Sequence, residues 1–141
     1  IEQALRDAGA EVGTAGYRVA YALARTQLAQ GLPVLVDCVN PLPATREAWH
    51  SVARGVPVPW LDVEVVCSDA AEHRRRVENR RSDIPGLTPP SWQSVQQHDY
   101  QPWPALQTAR RVVDTARMAP EQIAAEVLAA LHRRQLEPSG D

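Results

Sequence analysis

Apolar positions recur along the chain at two spacings, and the switches between them predict the elements. Ile1, Ala4, Leu5 and Ala8 fall at helical spacing, so the chain opens in the end of a helix that stops at Gly9. A glycine-containing connector runs to Gly16. Tyr17, Ala20, Tyr21, Ala24 and Leu28 then line one face of a second helix, which Gly31 ends. Pro33, Val34, Leu35 and Val36 follow with no polar break before Asp37, the pattern of a strand buried on both faces. The spacing next predicts a helix over 45–53, a strand over 61–67 and a helix over 70–80, with Asp69 and Glu72 placed as a capping box. Residues 83–90 are rich in proline and glycine and predict a loop, with a short helix over 91–98. Residues 112–114 predict a third strand. Pro120 opens a last helix with Ile123, Val127, Leu128 and Leu131 as its buried face, and 137–141 form a polar tail.

Strands alternating with helices at these distances imply parallel crossovers, an α/β sheet with helices on both faces. Ligands on such sheets gather beyond the carboxyl ends of the strands. That rim collects residues 37–40, Ser68 with Asp69, and Asp114 with Thr115. A length of 141 residues fits one domain, taken as 1–136.

Composition narrows the chemistry. Net charge is −2, which gives no global field toward nucleic acid or membranes. All 15 basic residues are arginine, so a Schiff-base or phosphate-loop lysine is excluded within this chain. The arginine-rich, lysine-free composition reads first as genomic base bias. Two separated cysteines, Cys38 and Cys67, fit a reducing cytoplasm, and no stretch reaches the length of a membrane span. His50, His73, His98 and His132 have no spacing that would build a zinc site. The glycines at 9, 13 and 16 follow no strand and precede no lysine, so they are no phosphate loop.

Candidate residues remain at the rim. Asp37 could hold hydrated magnesium or take a proton from a hydroxyl, or merely cap the next turn. Asn40, in the turn 39–41, could orient a substrate. Arg46 and Trp49 lie three apart on one helix face and suit an anionic and a flat ligand, unless they are only an exposed arginine beside a core tryptophan. Arg76 and Arg80, four apart in a dense charged run, would share a helix face and converge on one phosphate; a solvated face is the alternative.

Taken in order, these segments resemble small bacterial P-loop kinases, AAA-family ATPases or predicted kinases related to gluconate- and adenylate-type kinases. The resemblance rests on Gly16-Tyr17 opening a helix, the stretches 36–41, 45–49 and 64–69, the run 72–78, and the stretches 83–87 and 114–116. It implies a three-layer P-loop kinase-like parallel sheet, ATP and Mg2+ as cofactors, and transfer of the γ-phosphoryl group to a hydroxyl of a small-molecule acceptor. It implies that Asp37 is the magnesium or base aspartate and that Arg46 faces the acceptor, beside the candidate substrate-binding residues Asn40 and Trp49. Arg76 and Arg80 would be lid arginines, in a lid spanning about 74–98, with Asp114 and Thr115 near the adenine. One part departs from the family: the central strand and its Gly-x-x-x-x-Gly-Lys-Ser/Thr loop are absent from the sequence, which therefore reads as a C-terminal fragment, inactive alone. The alternative is a non-catalytic ligand-binding module derived from such a kinase. An arginine-driven RNA-binding protein is disfavoured because no aromatic residues interleave with the arginines.

Overall fold

The computed structural model describes residues 2–9, 14–82, 88–104 and 110–136, and it is an α/β structure. Its elements are α1 (Glu2–Asp7), α2 (Ala15–Ala29), α3 (Pro43–Gly55), β1 (Asp62–Val66), α4 (Ala70–Asn79), α5 (Trp92–Gln96), β2 (Arg110–Asp114) and α6 (Pro120–Leu136). The connector at 10–13, the loop at 83–87 and the tail at 137–141 lie outside the described residues. No helix among those residues is long and apolar enough to cross a membrane.

The chain forms two compact units. The first comprises Ile1–Val58 with Tyr100–Pro102, and the second Pro59–Asp99 with Trp103–Asp141. In the first unit α2 packs on α1 and α3. Its buried residues include Ala24, Val52 and Ala53, together with the polar side chains of Arg46 and His50. Gly16 is buried at the start of α2. Tyr21 of α2 meets Trp49 of α3 edge-to-face at 4.5 Å between ring centres, an arrangement the ring quadrupoles favour. Gly31, at φ +75°, ends α2 as expected: its N–H donates to Leu28 O and Leu32 N–H donates back to Gln27 O. This paired closure satisfies carbonyls that the helix end leaves open.

The second unit is built on β1 and β2, a two-stranded parallel sheet in the register Asp62↔Arg110 to Val66↔Asp114. Val113 is its most buried side chain at 1% exposure. Arg110 pairs with Glu64 across the strands at 3.2 Å, and Arg111 pairs with Glu126 of α6. Arg134 near the end of α6 donates to Trp60 O at 2.7 Å. Asp69 caps α4, its carboxylate accepting from the N–H groups of Ala71 and Glu72. The reciprocal half of the capping box does not form, because Arg75 and Arg76 hold the Glu72 carboxylate.

Two expectations fail. Residues 33–37 are not a strand: among the described residues no ladder and no backbone–backbone hydrogen bond reaches them, and Leu35 is 94% exposed. An apolar run becomes a strand only when a neighbour accepts and donates its backbone hydrogen bonds, and no described segment does so. Leu128, assigned to the buried face of α6, is exposed, while Ile123, Val127 and Leu131 are half-buried.

Candidate functional site

In the first unit the candidate residues converge on one turn. Asn40 sits in the left-handed region at φ +46°, a conformation asparagine tolerates better than most residues. Arg46, 4% exposed, reaches back from α3 and donates Nε to Asn40 O at 2.9 Å and Nη2 to Pro41 O at 3.1 Å. The same Nη2 donates to Gln101 O at 2.5 Å, and the guanidinium lies 5.2 Å from the centre of the Tyr100 ring. Trp49, one turn further along α3, donates Nε1 to Asn40 Oδ1 at 3.1 Å. The helical spacing that placed Arg46 and Trp49 on one face thus serves to grip the turn.

Asp37 and Cys38 precede this turn on the surface. Asp37 makes no hydrogen bond or ion pair among the described residues, so its carboxylate is open to a ligand. The thiol of Cys38 is pushed up by desolvation against its neighbours, although hydrogen bonds from Trp49 and Asn40 pull it down; the nearby Asp37 charge adds to the rise. A raised thiol stays protonated at neutral pH and is a poor nucleophile.

In the second unit the strand ends are tied by their own side chains. Asp114 accepts from Ser68 N–H at 2.9 Å, from Ser68 Oγ–H at 2.5 Å and from Ala116 N–H at 3.1 Å. These bonds, led by the Ser68 hydroxyl, hold its carboxyl below the usual range, with a smaller contribution from Arg117. Thr115 donates both its N–H and its hydroxyl to Val66 O, at 2.8 and 2.9 Å. Asp114 and Thr115 therefore close the open end of the β1–β2 pair.

The two lid arginines part company. Arg76 is held by Glu72 Oε1 at 2.7 Å and by Thr115 O at 3.1 Å. Glu72, gripped first by Arg75 and then by Arg76, is lowered to about 2. Arg80 does not share the face of Arg76, because α4 ends at Asn79 and Arg80 is its extended C-cap at φ −65°, ψ 128°. Its guanidinium has no partner among the described residues. It lines an open cleft of about 600 Å3 formed by the end of α4, Pro89, Pro90 and the start of α5.

Sequence reasoning missed two features. The Ser68–Asp114 bond joins residues 46 positions apart, and the edge-to-face contact of His73 with Trp92, at 5.2 Å between ring centres, joins two helices. Neither spacing carries a local signal. Among the described residues no group of three or more His, Cys, Asp or Glu side chains could hold a metal ion. No family model, no curated protein and no solved structure matches the chain.

Proposed function

We propose that the chain supplies the acceptor-side turn and the lid of an ATP-dependent phosphotransferase that moves the γ-phosphoryl group to a hydroxyl of a small molecule. One observation carries this reading: an exposed carboxylate, Asp37, without a partner among the described residues, stands directly before a turn that Arg46 and Trp49 hold fixed. A general base for a substrate hydroxyl needs that combination of access and fixed approach. Arg46 and Trp49 act here as positioning residues, since Arg46 Nε and Nη2 and Trp49 Nε1 all donate to the turn. In the same reading the finer fold is a three-layer P-loop kinase-like sheet.

Magnesium in phosphoryl transfer is held by one or two carboxylates together with phosphates and water, so Asp37 alone fits the share a protein provides. When bound, the ion would neutralise phosphate charge. Arg80 is the lid cation with its guanidinium uncommitted. The 141 residues contain no lysine and no Gly-x-x-x-x-Gly-Lys loop, so the chain by itself is expected to turn over no ATP.

The test uses the protein encoded by the full reading frame that contains these residues, supplied with MgATP and a panel of small hydroxyl compounds. Asp37→Asn is expected to lower turnover by about 100-fold or more while the circular dichroism spectrum stays unchanged. Equal turnover would remove Asp37 from the chemistry. A second reading, a ligand-binding module without catalysis, is favoured by Arg76, Asp114 and Thr115 spending their polar groups on the chain's own backbone and side chains. Nucleotide binding by that full protein without phosphate transfer to any acceptor would select it.

A further inference from the structure

We propose that the cleft between the end of α4 and the start of α5 is a binding site for a small aromatic anion, a single flat ring bearing a carboxylate or phosphate. The site lies wholly within the second unit and does not rest on the phosphotransfer reading.

Three features define the ligand. The first is charge. Arg74 and Glu78 both line the cleft but neutralise each other through an ion pair at 2.7 Å. Arg80 lines it as well and has no acidic partner among the described residues, so the described lining carries one excess positive charge. A guanidinium offers paired N–H donors that match a carboxylate or phosphate edge. The second feature is shape. The half-buried indole of Trp92, braced by the His73 ring, and the rings of Pro89 and Pro90 supply rigid apolar surfaces suited to a flat ring. The third is size: about 600 Å3 lies in the range of small-molecule sites. The backbone sets each side of the cleft locally. Arg80 leaves α4 in extended conformation, and Ser91 caps α5 by accepting from Ser94 N–H, which sets Trp92 in the first turn of that helix.

The probe is phenyl phosphate, followed by the indole N–H resonance of Trp92, which is identified by its loss in Trp92→Phe. The expected result is a saturable shift with Kd of about 1 mM, as a ligand of this size allows. Arg80→Gln is expected to weaken binding at least tenfold, roughly the worth of a charged hydrogen bond, while the other indole resonances keep their positions. Inorganic phosphate and phenol, which each carry half of the recognition, are expected to bind at least tenfold more weakly than phenyl phosphate. No saturable shift up to about 10 mM phenyl phosphate overturns the proposal. So does equal affinity in Arg80→Gln, or equal affinity for either half-ligand.

Discussion

Residues 33–37 and β1 are built from nearly the same materials, yet only one of them is a strand. Val34, Leu35 and Val36 lead to Asp37 in the first unit; Val63, Glu64, Val65 and Val66 lead to Cys67 in the second. β1 finds β2 in parallel register, and that pairing is reinforced by Arg110–Glu64 and by Thr115 on Val66 O. The first run finds no ladder among the described residues and keeps Leu35 almost wholly exposed. Strand character is thus a property of the pair, and a β-branched run supplies only half of it. What holds the first run is its two ends. The closure at Gly31 fixes where it starts, and the grip of Arg46 and Trp49 on Asn40 fixes where it stops. Asp37 owes its position to that second anchor rather than to a sheet.

The sharpest way to break the contrast is to remove the anchor. Arg46→Ala would empty the buried place of the Arg46 side chain and leave the half-buried carbonyls of Asn40 and Pro41, and that of exposed Gln101, without their donor. We expect a loss of about 3 kcal/mol, read by urea unfolding of the chain. A loss below 1 kcal/mol would mean that the turn stands without Arg46. A smaller effect should come from the sheet's core. Val113→Ala is expected to cost about 2 kcal/mol, because the side chain is fully enclosed and leaves a cavity. The smallest should come from the unpaired run: Leu35→Ala is expected to change stability by less than about 0.5 kcal/mol, the usual scale for a surface position. Comparable losses at Leu35 and Val113 would show that the first run is packed in solution.

The same contrast explains what the sequence could and could not reveal. Helical periodicity located α2, α3 and α4, and it placed Arg46 and Trp49 on one face, since all of this depends on neighbours three or four residues away. It failed where the outcome depends on distant partners. Nothing local says that 33–37 lacks a ladder, or that Ser68 reaches Asp114. The shared face assigned to Arg76 and Arg80 failed differently: it needed α4 to run one residue further than Asn79, and a helix end is set by its cap and the chain beyond it. Of the candidate residues, Asp37 and Arg80 keep a side chain uncommitted among the described residues. Arg46, Trp49, Arg76, Asp114 and Thr115 are engaged in holding the scaffold, an allocation that residue type alone does not disclose.

The most direct measurement is residue-resolved amide hydrogen exchange on the chain under native conditions. If the end anchors and not a ladder hold the first run, the amides of Val34, Leu35, Val36 and Asp37 will exchange at nearly unprotected rates. The ladder amides of β1 and β2 will be slowed by about a thousandfold or more in the same sample. Protection at 34–37 equal to that of β1 would contradict the account, because it would require a strand partner for the run that the described structure does not contain.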